Sequence, residues 1–224
     1  LTSALNQYLG GGIVCFTERL AEIGEDRLLL LRHCAPSIGA SALPLDAVDG
    51  VRFPSVFLTH VKPRCAALGK WITLAFVNWR DEPHASRISV ADVLAYWGSP
   101  LLTGADGLLV TSFRHGVTRR LSPGAWIETE SIPAHGCEVL KVQVARAGMP
   151  CLLHADGHFS MGGTEVVGWE PTSSGVKLVI DWPWPCPLRL TVGRDTGDGV
   201  LQKCVGVPGS RGRHSVSVCL EDEA

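Results

Sequence analysis

The chain has 224 residues, of which 46% are hydrophobic and 19% are charged, and its formal net charge is −2 at pH 7. This composition is typical of an ordered globular protein and excludes a disordered one. No basic run is longer than Arg119-Arg120, which excludes nucleic acid as a partner. The longest apolar runs, such as Leu28 to Leu31, are far shorter than the ~20 residues that span a bilayer, so no membrane partner is expected.

The first fifty residues have the pattern of a β/α unit. Gly10 to Gly12 leads into the short apolar run Ile13 to Phe16, which predicts a strand. Two acidic residues then open a leucine-rich stretch, Arg27 to His33, that ends in basic residues. This order of charges suits a helix dipole, so a helix is predicted there and Pro36 ends it. A strand, a turn and a helix in succession are the repeat of α/β folds.

After about residue 50 the pattern changes to short runs rich in β-branched and aromatic residues, separated by Gly, Pro and Asp turns. No helical periodicity returns, and the close spacing of the turns predicts an antiparallel β-sandwich. Ala145 to Gly148 is the best candidate for a linker, which leaves either one large sandwich or two small β units. The predicted strands are 55–61, 71–78, 87–93, 107–113, 126–132, 138–144, 151–155, 164–169, 176–182, 188–192, 201–207 and 215–220.

Two separated segments carry a resemblance to a known family. The first runs from Trp71 to Pro83, where an apolar strand ends in Asn78-Trp79 and passes into an Asp-Glu-Pro turn. The second runs from Ile132 to Leu140, where a Pro/Gly turn with His135 feeds another strand. Together they resemble the "fNWsdep" and "ippHg" patterns of the β-sandwich that follows the barrel in α-galactosidase-like glycoside hydrolases, families 36 and 27.

The N-terminal segment extends this resemblance. Gly11 to Leu20 resembles the "GGpvtlSDrl" end of the family's (β/α)8 barrel, in which the last strand brings a Ser-Asp pair to the sugar. The pair here is Thr17-Glu18, so the resemblance implies that Thr17 and Glu18 bind substrate, with a carboxylate one methylene longer. Asp26 to Pro36 resembles the closing helix of the barrel, and Leu94 to Trp97 resembles a "yhvrdfW" strand of the sandwich.

The resemblance implies a division of the chain and a function. Residues 1–50 would be the remnant of the catalytic barrel, 51–145 the sandwich, and 146–224 a further β-rich region. The family's two catalytic carboxylates lie on central barrel strands, so no catalytic residue is expected in this chain. A start at Leu1 and not at Met fits a piece of a longer protein. The parent protein would act on α-galactosides or related carbohydrates, and no cofactor or metal is expected.

Two alternatives stay open. The first is a non-catalytic carbohydrate-binding or adhesion sandwich, in which Trp169, Trp182 and Trp184 form an aromatic platform for sugar rings, although packing in the core or at an edge explains the same residues. The second is a relative of the raffinose and stachyose galactosyl transferases, which share the glycine-rich strand pattern of the barrel end. Acceptor use distinguishes the transferase from the hydrolase.

Two other groups of residues have the composition of a metal site and of a catalytic nucleophile pair. His154, Asp156 and His158 stand at alternate positions, where three metal ligands could share one face of a strand, but Asp156-Gly157 is itself a turn signal. His135 and Cys137 have the spacing of a Cys/His nucleophile pair, but they occupy a turn and the start of a core strand.

The eight cysteines are scattered and no C-x-x-C occurs, which argues against a zinc ribbon and predicts mostly free, buried thiols.

Overall fold

The computed structural model describes residues 1–15, 19, 22–47, 53–98 and 107–221. Two helices come first, α1 (Thr2–Gly10) and α2 (Glu25–Leu31). Helix α1 buries Leu5 and Tyr8 and ends at Gly11, whose φ of 64° suits glycine. A Cβ at Gly11 would also lie 2.3 Å from the backbone of Ala40, so this close approach requires glycine. Helix α2 confirms the predicted leucine-rich helix.

The strand expected at the end of a barrel is not shown. Ile13, Val14 and Cys15 lie outside any strand, and the Ile13 side chain is 89% exposed. A parallel barrel strand takes its backbone hydrogen bonds from a neighbour on each side, and none of the described residues supplies one here. Of the β/α unit predicted over residues 1–50, the described residues show the helix and no strand at Ile13 to Cys15, and Phe16 lies outside them.

The first β unit is a six-stranded antiparallel sheet with the strand order β1-β2-β3-β8-β5-β6. One face of this sheet packs under helix α3 and a two-stranded sheet, and the central strand β3 is buried along its whole length. The other face carries Tyr8 of helix α1 and the start of the second β unit. The elements are β1 (Leu43–Pro44), β2 (Val56–Val61), β3 (Trp71–Val77), β4 (Arg87–Ser89), α3 (Val90–Trp97), β5 (Leu108–Ser112), β6 (Thr118–Leu121), β7 (Trp126–Glu128) and β8 (Cys137–Val144), with β4 and β7 forming the two-stranded sheet.

The second β unit is a sandwich of two three-stranded antiparallel sheets, β10-β11-β14 and β13-β12-β9. Inward-facing aliphatic residues of both sheets and the indole of Trp182 form its core. The strands are β9 (Pro150–Ala155), β10 (Val166–Pro171), β11 (Gly175–Trp182), β12 (Leu188–Asp195), β13 (Val200–Val207) and β14 (Gly212–Cys219). The predicted fold class, mainly β with an antiparallel sandwich, is confirmed.

The strand predicted over 87–93 is confirmed in β4 (Arg87–Ser89), but helix α3 replaces its remainder and the sandwich strand predicted at Leu94 to Trp97. The Ser89 hydroxyl accepts a hydrogen bond from the backbone N–H of Asp92 at 3.0 Å and so caps the helix. Val90, Val93 and Trp97 are buried and follow the spacing of one helical face. The capping residue and this spacing were the signals that the strand prediction overlooked.

Strand β6 contains Arg119 and Arg120, which pair with Val110 and Leu109 of β5. All eight cysteines are described and none forms a disulfide.

In the ranges that the structure describes, no helix combines the length and the apolar character that crossing a bilayer requires.

Candidate functional site

Thr17 and Glu18, the substrate-binding residues predicted from the resemblance, lie outside the described residues. The structure therefore places neither side chain, and the prediction for both stands as made. Three groups of described residues bear on function. They are the two segments of the sandwich motif, the two clusters that suggested a nucleophile pair and a metal site, and the residues that line the cavities.

The two motif segments meet in space and form one hydrogen-bonded unit. Strands β3 and β8 pair side by side, and Asn78 directly after β3 continues the pairing through its N–H, which donates to the carbonyl of Gly136 at 2.9 Å. The buried Asn78 side chain then reaches both turns: Nδ2 lies 2.8 Å from the carbonyl oxygen of Glu82 and 3.0 Å from those of Ile132 and Pro133. Asn78 thus holds the Asp-Glu-Pro turn against the Pro/Gly turn.

His135 and Cys137 do not form a nucleophile pair. The His135 ring lies at the surface, with Nε2 3.0 Å from the Asp81 carboxylate of the other motif segment. Cys137 is 2% exposed, and burial raises the pKa of its thiol. A protonated, inaccessible thiol is a poor nucleophile. The histidine instead adds a second contact between the motif segments.

His154, Asp156 and His158 turn towards different partners. Nε2 of His154 donates to the carbonyl of Phe113 at 2.8 Å, and Oδ1 of Asp156 accepts from the N–H of Arg189 at 2.8 Å. Nδ1 of His158 accepts from the N–H of Ser160 at 3.0 Å. Among the described residues no three potential ligands are grouped so that they could hold a metal ion. Asp156-Gly157 is therefore a turn, and the three side chains do not share one face of a strand.

The three candidate platform tryptophans are divided between two places. Trp182 and Trp184 line a cavity of about 160 Å³, but Trp182 is only 1% exposed and its Nε1 donates to the carbonyl of Cys186 at 2.5 Å. Trp182 is thus a core residue of the second sandwich. Trp169, on β10, is half-buried and lines a separate, larger groove.

That larger space, the junction groove, lies between the first sheet and the second sandwich and has a volume of about 430 Å³. Sugar and cofactor sites are commonly clefts of about 300–1,000 Å³ with aromatic walls and a few polar groups. Its floor is formed by Trp71 and Gln143, and its aromatic wall by Trp97 and Trp169. Its rim carries Lys62, Lys70 and Arg146, which are exposed.

A buried polar network supports the floor of the junction groove. Nζ of Lys141 lies 3.8 Å from the centre of the Trp71 ring and donates to the carbonyl of Leu152 at 2.7 Å. The side chain is completely buried, and this burial lowers the pKa of Lys141 to about 7. The Trp71 Nε1 donates to the carbonyl of Ser160 at 2.9 Å.

Glu165 and Tyr8 belong to the same interior. Burial raises the pKa of Glu165 to about 7, although Oε2 accepts hydrogen bonds from the N–H and the hydroxyl of Thr164. The Tyr8 hydroxyl bonds to that of Thr73 at 2.9 Å, and burial raises the Tyr8 pKa. Sequence reasoning missed this network. For Lys141 the local pattern is misleading, because Leu140 to Val144 alternate apolar and polar residues as a strand with one exposed face does.

No family model matches this chain, and a search of the curated proteins finds no match. Two solved structures are similar over part of the chain. One is a provisionally named alpha-N-acetylgalactosaminidase from Bacillus halodurans, 13% identical with a TM-score of 0.44 over 65% of this chain and 30% of that chain. The other is alpha-galactosidase I from Mortierella vinacea, 11% identical with a TM-score of 0.45 over 64% of this chain and 35% of that chain.

The chain thus covers about a third of the length of each of these structures.

Proposed function

We propose that this chain is the C-terminal β region of an α-galactosidase-like glycoside hydrolase. In this proposal the two β units brace a (β/α)8 barrel, and the two catalytic carboxylates lie in a segment outside this sequence. Ile13 to Cys15 would pair as a barrel strand only beside neighbouring barrel strands. Hydrolysis would follow the retaining route, in which one carboxylate is the nucleophile and the other the acid and base.

The observation that supports this proposal is the union of the two motif segments around Asn78. The segments are separated by about fifty residues in the sequence, and the resemblance was drawn from their residue types alone. Their backbone pairing, the Asn78 contacts to both turns and the pair between His135 and Asp81 make them one structural unit. Two segments of one family motif are expected to contact each other in this way, whereas two unrelated chance matches are not.

One pair of carboxylates among the described residues is unsuited to cleaving a sugar. Two carboxylates, Glu165 and Asp181, line the same small cavity. Glu165 is 2% exposed, and Asp181 is held by the Arg64 guanidinium at 3.0 Å. Their cavity of about 160 Å³ is small against the about 300–1,000 Å³ of typical ligand sites. A sugar could not lie between these two groups in the arrangement that glycoside cleavage requires.

Thr17 and Glu18 take the role that the resemblance gives them. In the assembled barrel they would lie at the C-terminal end of the last strand, which is the face where active sites of such barrels are built. The Glu18 carboxylate would accept hydrogen bonds from sugar hydroxyls. Loss of that contact is expected to raise KM for galactosides in the full protein, with a smaller effect on kcat.

The test uses the natural polypeptide that contains this sequence and, beside it, the 224-residue chain alone. We expect the natural polypeptide to hydrolyse p-nitrophenyl α-galactoside and the chain alone to show no turnover. Replacing Glu18→Ala in the natural polypeptide should raise KM. Turnover by the chain alone that disappears in Glu18→Ala would contradict the proposal, and so would a natural polypeptide without turnover.

An added sugar acceptor separates the galactosyl transferase alternative. With sucrose present, a hydrolase releases mainly free galactose, whereas a transferase forms the galactosylated sucrose. We expect free galactose as the main product. A predominance of the transfer product would assign the protein to the transferase alternative.

A further inference from the structure

We infer that the junction groove is a binding site for an acidic oligosaccharide, one that carries uronate carboxylates. All the described residues that line the groove belong to the two β units and their connections. The choice of a sugar over another anion rests on the proposed function. The charge of the expected ligand rests on the groove itself.

The rim of the groove is cationic, and no described residue neutralises its charges. Lys62 and Lys70 begin and end the connection between β2 and β3, and Arg146 follows β8, so two chain connections bring positive charge to one opening. None of the three side chains forms an ion pair or a side-chain hydrogen bond with a described residue. No described Asp or Glu lines the groove. A cleft lined by one sign of charge concentrates counter-charged ligands, so an anion is the expected occupant.

The aromatic wall indicates a ring-shaped ligand. Trp169 and Trp97 line the groove from the second and the first β unit, and the Trp71 ring closes the floor. Trp71 and Trp97 are 1% and 7% exposed and only back the groove, whereas the half-buried Trp169 has an accessible indole face, on which the C–H face of a sugar can lie while its polar groups reach the rim. A volume of about 430 Å³ is compatible with one or two sugar rings.

The first experiment measures binding to the chain by isothermal titration calorimetry and tryptophan fluorescence. The probes are trigalacturonate, the neutral galactotriose and AMP, which is an anion with an aromatic base. We expect trigalacturonate to bind at least about tenfold more tightly than galactotriose and to weaken as salt rises, since exposed charges are screened. Equal binding of the acidic and neutral trisaccharides, binding of neither, or tighter binding of AMP would each overturn the inference.

The second experiment places the binding in the groove. Arg146→Gln and Lys70→Gln should each weaken trigalacturonate binding by about three- to tenfold, whereas Arg211→Gln, an exposed cation on the second sandwich, should leave it unchanged. Trp169→Leu should weaken binding, whereas Trp126→Leu, which removes a half-exposed indole elsewhere, should not. Equal losses in the groove variants and in their controls would refute the site.

Failure of this inference is distinguishable from failure of the proposed function. Binding is measured on the chain without any turnover, and turnover is measured on the natural polypeptide without acidic sugars. An inactive natural polypeptide together with selective acidic-sugar binding would refute the hydrolase and leave the groove standing.

Discussion

Lys141 shows how an ionisable residue can be held inside a β protein. Its ammonium group has lost all contact with water and has gained the face of the Trp71 ring and the carbonyl of Leu152. Both contacts favour the charged form, but burial outweighs them and lowers the pKa to about 7. The folded protein therefore binds fewer protons than the unfolded chain between pH 7 and about 10.5, the ordinary pKa of lysine.

This difference predicts a pH dependence of stability. Because the unfolded chain binds the extra proton, the Lys141 contribution to the free energy of unfolding should rise by about 1 kcal/mol per pH unit from pH 7 to 8.5. Lys141→Met should remove this part of the slope, and Lys177→Met, at an exposed lysine, should retain it. Urea denaturation across this pH range measures both. Identical slopes in the wild type and Lys141→Met would show that Lys141 does not have a lowered pKa.

Trp79 and Trp182 differ in burial although both follow or end apolar strands. Trp79 is 40% exposed, donates to the carbonyl of Pro54 at 2.7 Å and contacts the ring of Phe53. Trp182 is 1% exposed in the core of the second sandwich. We expect Trp79→Ala to cost about 1 kcal/mol and Trp182→Ala about 3–5 kcal/mol of unfolding free energy. Chemical denaturation of the two variants checks this order, and a larger cost at Trp79 would contradict the described packing.

At the level of elements, the pairing of β3 with β8 depends on how both strands end. Asn78 is the residue that continues the pairing beyond the last position of β3 and joins the two turns. Asn78→Ala removes the side-chain donor that joins the two turns, although the carbonyls of Ile132 and Pro133 keep the N–H groups of His84 and Gly136 as partners. This should cost about 1–3 kcal/mol of unfolding free energy.

A conservative variant distinguishes hydrogen bonding from packing at this position. Asn78→Asp keeps the size but places an acceptor opposite carbonyl oxygens, so it should destabilise at least as much as alanine. Asn6→Ala, on an exposed position of helix α1, serves as the control and should change stability little. A cost below about 0.5 kcal/mol for both Asn78 variants would mean that the motif segments do not depend on this residue.

Several elements were predictable from the sequence because burial imposes a short, readable pattern. Strands β3 and β8 are buried on both faces for most of their length, and more and less exposed residues alternate along β11. Each of the three was predicted within a residue or two. Helix α3 was not, because its eight residues are rich in β-branched and aromatic side chains that also suit a strand. Only the Ser89 cap and the spacing of its buried residues distinguish the helix.

The candidate site was less predictable because it depends on contacts between the two β units. Gln143, Lys62 and Trp169 are far apart in the chain, and the sequence does not indicate that they line one groove. The same holds for Glu165, which follows no recognisable pattern and lies in a loop enclosed by both units. Residue types can be read locally, but the packing of one sheet on another cannot.

On the scale of the whole molecule, the two β units meet through a polar interior, with Lys141 of the first unit donating to Leu152 and Met161 of the second. Such an interior fixes the relative position of the units more specifically than apolar packing alone, because each donor must meet its acceptor. A rigid pair of units is what the proposed bracing of a barrel would require.

The stereochemistry of galactose release distinguishes a retaining hydrolase from an inverting one. The natural polypeptide that contains this chain is mixed with p-nitrophenyl α-galactoside, and the anomer first released is identified by proton NMR before mutarotation. The account predicts that α-galactose appears first, as a retaining two-carboxylate mechanism requires. Release of β-galactose first, or no release of galactose, would contradict it.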